Sequence, residues 1–447
     1  MNFLERCRKV ISIDSTPSNG NLDLTEWLAS YCESQGFYIE KQNDFLGDHQ
    51  HQNIIIRTQS QKPPEEFLFQ THLDTVEPGA FGAWLQNGFN PFDATIVDGK
   101  IYGLGSADAK LDFICKLEAL SFFKEIKKWK LPPVLVGTYG EKLGMPGIVK
   151  LIRQDKISAK KAFVGEPTQL QILTAGMGYM AVEISVPFTR EEVLRRREKI
   201  QESSNTQTKL FFGKVAHSSA PHLGDSAIKK MFDAILCLPD NAAIVEMHGG
   251  VHFNTTPIHS SLELEMNSEE ESSITKRLKN IYTALFELEK TFINYQEEGF
   301  MPPYPTLNVG IVKTQLDQIL IQGVCRIPPM ITPEIYEAWF EDLKIIGEQN
   351  GVTFKVTDSK RPFRTHRESD LIQTSLKILK DLNMNVQCGS QSSTNEASVL
   401  SRWGVESVSF GPGKREGNIH TPQEHVEINQ LEKSVEFYRH CIERFCL

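Results

Sequence analysis

The chain has 447 residues, 40% hydrophobic and 23% charged, with a formal net charge of −9. That length accommodates two or three domains around a large core, and the acidic balance, with no long basic run, argues against nucleic acid as a partner. No apolar run reaches the ~18–20 residues that span a bilayer, the N-terminus turns polar at once, and the eight cysteines are scattered without a CxxC pair; the expectation is a cytoplasmic protein with reduced thiols and no membrane partner.

Taken in chain order, Leu22 to Gln35 reads as a helix stopped by Gly36. Asn53–Ile56 and Phe67–Phe69 read as short apolar strands, and Ala109 to Lys127 as a helix with Phe113, Leu117, Leu120 and Phe123 on one face. Its end, Lys124 to Lys130, reads as solvated. Pro133–Thr138, Ala162–Val164 and, near the C-terminus, Val408–Phe410 are further strands. Helices alternating with apolar strands imply an α/β layer with a mainly parallel central sheet.

The middle reads differently. Tyr179–Val186, Lys209–Phe212, Ser261–Met266, Thr306–Val312, Ile319–Arg326 and Val352–Val356 pattern as strands, and Ser226–Cys237 and Pro333–Gln349 as helices. Thr189 to Thr208 is a charged excursion, irregular or helical. Glu269 to Gln296 is a long helical stretch whose stripe Ile274, Leu278, Ile281, Leu285, Leu288 suits packing or a dimer surface. The order implies an inserted α+β unit over 178–362. The flanking parts, 1–177 and 363–447, would then form one α/β domain.

Several polar residues share one location in this scheme. His72 follows the strand at Phe67–Phe69, Glu141 follows Pro133–Thr138, Glu166 follows Ala162–Val164, and His420 lies beyond Val408–Phe410. Residues at the carboxyl ends of neighbouring parallel strands converge on one crevice. His, Asp and Glu in such a crevice suit zinc, and two ions about 3.5–4 Å apart can activate water and polarise a carbonyl. Singly the signals are weak: His72-x-Asp74 can be structural, Asp108 a helix N-cap, and Glu166 a turn residue.

Jointly, the motifs Thr71-His72-Leu73-Asp74-Thr75-Val76-Glu77-Pro78, Asp98 to Lys110, Gly165-Glu166-Pro167-Thr168, Gly213 to Pro221, Thr306 to Gly310 and Gly411-Pro412-Gly413 leading to His420 resemble the zinc aminoacylase and exopeptidase family of acetylornithine deacetylase, succinyl-diaminopimelate desuccinylase and carboxypeptidase G. The resemblance covers nearly the whole chain. It implies a catalytic α/β domain with an inserted lid that serves in dimerisation, hence a homodimer. It implies that His72 and Glu166 hold one metal, Asp108 bridges, and His420 holds the other. Asp74 would orient His72, and Glu141 would be the general base. On the lid, His217 would stabilise the tetrahedral intermediate and Arg326 would meet substrate carboxylate through its planar fork.

The family pattern Glu-Glu-x-Gly-x-x-Gly is here Glu141-Lys142-Leu143-Gly144-Met145-Pro146-Gly147. Both glycines keep their spacing, so Lys142 stands where a carboxylate would bind the His420 metal. A protonated lysine cannot be a ligand; its ammonium could stand in that metal's place, pairing with Asp108 and Glu141. Leu104 and Leu111 replace an arginine and a glycine, and the lid's Gly-Gly-x-x-x-Asn is missing after Gly310. Gly249-Gly250-Val251-His252-Phe253-Asn254 makes Asn254 a candidate substrate-binding residue, and Asn395-Glu396-Ala397 leans towards the acetylornithine deacetylase branch. The expectation is a metal-dependent amidohydrolase removing an acyl group from an N-acyl amino acid, or cleaving a dipeptide or other small peptide. It would use zinc (or cobalt or manganese), with one ion favoured over two. The alternative is a catalytically impaired relative that binds a ligand or partner through the old cleft.

Overall fold

A computed structural model describes residues 1–202, 206–239, 241–266 and 273–447, with 199–202 by backbone alone. The chain folds as two compact units: Met1–Ala175 with Phe363–Ser390 and Asn395–Leu447, and Gly176–Pro362 with Gln391–Thr394.

The first unit is built on a nine-stranded mixed sheet. Its centre is four adjacent parallel strands, β1 (Pro133–Thr138), β2 (Glu66–His72), β3 (Ala159–Gly165) and β4 (Glu406–Phe410), in that spatial order. The hairpin Tyr38–Leu46/His49–Arg57 adds antiparallel strands beside β1, and Ile172–Gly176 runs antiparallel to β4. The sheet is thus parallel at its core and antiparallel where the tight hairpin and Ile172–Gly176 flank it. Every residue of Pro133–Thr138 is buried, which explains why its sequence is a continuous apolar run rather than an alternating one. Alternation survives in which core each side chain joins. Phe67 and Phe69 pack with Phe163, Phe410 and the helices Lys110–Ser121 and Ile428–Phe445. Leu68, Val134, Val136 and Val164 pack with Ile148, Leu151 and Leu400 on the other side. Helices on both faces of a partly parallel sheet define an α/β layer.

The helix expected over Ala109–Lys127 is shorter, Lys110–Ser121. Ten of its residues are buried, Lys110 to Leu117 with Ala119 and Leu120. The basic stretch 124–130 is turn and coil rather than a solvated helical end: a helix wrapped by core stops where the sequence turns charged.

The second unit carries a seven-stranded sheet whose paired strands run antiparallel. Helices Ala227–Leu236, Ser273–Thr291 and Pro333–Gln349 contribute Ile228, Phe232, Leu278, Ile281, Tyr336 and Phe340 to its core. Of the stripe at 274–288, Ile274, Leu278, Ile281 and Leu285 are buried in this core and Leu288 packs against it. The stripe is therefore internal packing. The first residues of that expected helix, 269–272, lie outside the described residues, as do 203–205 of the charged excursion, whose described part is mainly the helix Arg190–Glu202 and ends in the strand Thr206–Phe212. Among the described residues no helix is long and apolar enough to cross a membrane.

Candidate active site

Three of the central strands deliver side chains to one place. His72 is the last residue of β2, Glu141 opens a short turn after β1, and Glu166 directly follows β3. Gly140 and Gly144 bracket that turn at φ 74° and 89°, left-handed values that suit glycine, and Pro146 begins the next helix, Pro146–Arg153. The register at 144 and 147 therefore places Lys142 inside the turn and towards the centre.

Lys142 Nζ lies 2.8 Å from Asp108 Oδ2 and 2.7 Å from Glu141 Oε2. His420 Nε2 approaches the same Asp108 oxygen at 2.8 Å, while His72 Nε2 lies 3.2 Å from Asp108 Oδ1. Asp108 thus stands between two histidines and an ammonium. Asp74 contributes through two groups. Its backbone carbonyl lies 2.9 Å from His72 Nδ1, whereas its carboxylate, 3.8 Å from that nitrogen, accepts the N–H groups of Glu141 and Lys142 at 3.1 Å each. The imidazole is therefore oriented by the Asp74 main chain, and the carboxylate holds the Glu141–Lys142 turn.

The charges follow from this geometry. Burial works to raise the Asp108 pKa, but Lys142, His420 and His72 outweigh it and hold the carboxyl well below the usual range. Burial opposes the ammonium of Lys142, yet Asp108 and Glu141 raise its pKa, so it is charged. Burial is likewise outweighed at Glu141 by Lys142 and His72, which lower it. Glu166 is pushed up to about 6 by burial despite the opposing Arg415. Burial and Lys142 oppose protonation of His72, but the Asp108 hydrogen bond and charge, with Glu141, carry it up to about 10.

Two participants, Arg415 and Glu424, escaped the sequence reading, whereas Glu396 was noted there within Asn395-Glu396-Ala397. Arg415 forms an ion pair with Glu166 through Nη2 and Oε2. Glu424 accepts the N–H groups of Ala107 and Asp108 at 3.0 Å each, which fixes the segment carrying Asp108. Its position four residues after His420, on one loop, was the available signal. Glu396, pushed up to about 8 by burial, is hydrogen-bonded by Gln70 and by Thr138 just behind the strand ends. For Arg415 no local signal existed: its partner is 249 positions away.

His217, Asn254 and Arg326 belong to the second unit. Arg326 is 4% exposed, and its Nη2 donates to Ser218 Oγ at 3.1 Å and Asn254 Oδ1 at 2.9 Å. His217 Nδ1 lies 2.7 Å from Ser219 Oγ.

The donor set can be tested for a metal. Position by position its chemistry suits one ion: an imidazole with its other nitrogen fixed, the Asp108 carboxylate and Glu166. The His420 side does not fit, because Lys142 holds the oxygen that a second ion would need. No group of three or more His, Cys, Asp or Glu among the described residues is gathered to hold an ion; Asp108 and Glu166 are paired with Lys142 and Arg415.

The model of peptidase family M20/M25/M40 matches residues 68–444, and the chain belongs to this family of metal-dependent hydrolases of peptide and amide bonds. It is 22% identical over 450 residues to acetylornithine deacetylase of Myxococcus xanthus, covering 98% of this chain and 96% of that one. Among solved structures it resembles aminoacylhistidine dipeptidase from Vibrio alginolyticus (TM-score 0.64, 16% identity, 99% of this chain and 96% of that chain). It also resembles an M20 family metallo-carboxypeptidase from Sulfolobus solfataricus (TM-score 0.62, 16% identity, 98% of each chain). At such identities the structures speak for the fold alone.

Proposed function

We propose that the protein hydrolyses the amide bond of an N-acyl amino acid, or the peptide bond of a small peptide, with one divalent ion at most. The observation that carries this reading is Glu141: a buried carboxylate held ionised beside His72 and Asp108, with Lys142 completing the charge balance. Bound by His72, Asp108 and Glu166, an ion such as zinc would polarise the scissile carbonyl and acidify water. Glu141 takes the proton from the attacking water and delivers it to the departing amine as the C–N bond breaks. The Lys142 ammonium keeps Asp108 and Glu141 together without a second ion. Asp74 holds both the His72 ring and the turn bearing Glu141, and His420 braces Asp108 from the opposite side.

In the same reading the unit Gly176–Pro362 is a lid, with His217 steadying the oxyanion and Arg326 with Asn254 recognising a substrate carboxylate. It would also form the homodimer contact. Thr206–Phe212 is the last strand of its sheet, and Leu210 and Phe212 on it are 63% and 62% exposed, the kind of apolar edge a second copy covers. Light scattering of the purified protein tests this, with a monomer as the contrary outcome.

The competing reading, an impaired relative that binds a ligand or partner through the cleft, is favoured by the pairing of Lys142 and Arg415 with would-be metal ligands. Metal content decides between them. The natural protein is expected to retain no more than one zinc per chain and to release free amino acid from N-acetyl or N-succinyl amino acids. Lys142→Glu should raise the count to two. Two tightly held ions in the natural protein would overturn the placement of Lys142. No ion and no turnover, with both restored by Lys142→Glu, would establish the impaired relative.

A further inference from the structure

The unit Gly176–Pro362 holds a cavity that the chemistry above does not use. Its origin is a short ladder. Among the described residues the strand Ala243–Gly249 pairs with Thr306–Thr314 through His248 and Gly249 alone. The start of the second strand is met by the loop 250–258 instead: Asn308 Nδ2 donates to the carbonyls of Phe253 and Thr255 at 2.9 and 3.1 Å. Between this strand end, Thr256 and the helices Ala227–Leu236 and Ser273–Thr291 lies a cavity of about 340 Å³, at the small end of the ~300–1,000 Å³ usual for ligand pockets. One wall is aromatic. Phe232 and Tyr282 stack with ring centroids 4.8 Å apart, and Phe286 stands 6.4 Å from Tyr282. Thr256 and Thr306, 2% and 5% exposed, also line the cavity, and among the described residues the Oγ1 of each has no hydrogen-bond partner. The acidic and lysine side chains of the lining are already matched, Lys229 with Glu289 at 2.7 Å and Asp225 with Lys230. His217, Asn254 and Arg326, given a substrate role above, do not line it.

We propose that this cavity binds a small uncharged aromatic molecule bearing a hydroxyl or N–H, such as a phenol or an indole. Its ring lies against Tyr282 and Phe286, and its polar atom bonds to a threonine hydroxyl. Aromatic rings favour stacked or edge-on contact with one another. A buried hydroxyl without a partner is costly, and a ligand that brings a hydrogen-bonding atom to it removes that cost. A charged ligand would instead have to break the ion pairs of Lys229 and Asp225. The site goes beyond the hydrolytic reading and stands or falls without it.

The test is fluorine NMR of 4-fluorophenol with the full-length protein, and of 4-fluorotoluene, which has the same ring and no hydroxyl. The natural protein is expected to broaden both signals, and indole to displace both probes. Thr256→Val and Thr306→Val, singly or together, keep the shape of the wall. The pair should weaken 4-fluorophenol by about tenfold, the loss of one hydrogen bond, and leave 4-fluorotoluene as before. Val309→Trp, which fills the cavity from the strand, should abolish binding of both. Leu307→Trp serves the same purpose should that protein fail to fold. No broadening by the natural protein, unchanged 4-fluorophenol affinity in the valine variants, or binding that survives in a folded tryptophan variant overturns the proposal.

Discussion

Glu141→Gln is expected to lower kcat for an N-acyl amino acid by about 10²- to 10⁴-fold, the usual contribution of a positioned base. KM and melting temperature should change little. The glutamine keeps the shape of the side chain and can still accept from Lys142, whose bond to Asp108 at 2.8 Å is untouched, so the loss should be chemical rather than structural. The same carboxylate predicts the pH profile. Burial raises the pKa of Glu141, but Lys142 and His72 outweigh it and bring it below its ordinary value. The base form therefore persists at lower pH than for a free glutamate, and loss of activity on acidification should not track an elevated Glu141 pKa. A variant retaining kcat within a few-fold would remove Glu141 from the role of base.

The largest effect on stability is expected one layer beneath the site. Lys116 and Asp112, 0% and 1% exposed, form an ion pair of 2.7 Å within the helix Lys110–Ser121. Lys116 also donates to the Gln70 carbonyl at 2.6 Å and to Thr71 Oγ1 at 2.9 Å. Asp112 accepts from Thr71 at 2.7 Å and from Tyr438 at 2.6 Å. A Cβ on Gly165 would stand 2.1 Å from Asp112 Oδ2, so β3 lies directly against this cluster. Lys116→Met leaves a buried carboxylate without its counter-charge and should cost about 3–5 kcal/mol, a fall in Tm on the order of 10 °C for a unit of this size. Thermal melts of the single variants and of Lys116→Met/Asp112→Leu check it. The double variant should recover much of the loss, because breaking a buried pair costs more than replacing it. Equal melting of Lys116→Met and the natural protein would show that the pair contributes nothing.

The sequence by itself determined the local parts of this protein. Val134-Leu135-Val136 and Ala162-Phe163-Val164 announce buried strands because a strand covered on both faces needs no polar alternation. The helix Pro333–Gln349 follows from a proline at its start and its apolar spacing. Gly144 and Gly147 fix the register of Lys142 because a turn and a close approach to the Tyr139 backbone leave no room for a side chain at 147, where a Cβ would lie 2.3 Å from the Tyr139 carbonyl oxygen. These are constraints acting over a few residues, and a sequence records them directly. Only the tertiary structure decided how the charges are shared. Arg415 meets Glu166 across 249 positions, Glu424 caps the backbone of Asp108 across 316, and Tyr438 closes the Asp112 cluster across 326. Lys116 and Asp112 stand four apart on a helix, where opposite charges read as a solvated surface pair, yet the core closes over both. Partner choice among buried charges depends on distance and dielectric in the folded molecule. One-dimensional spacing named the lysine that pairs with Asp108 and Glu141 but could not name the arginine that pairs with Glu166.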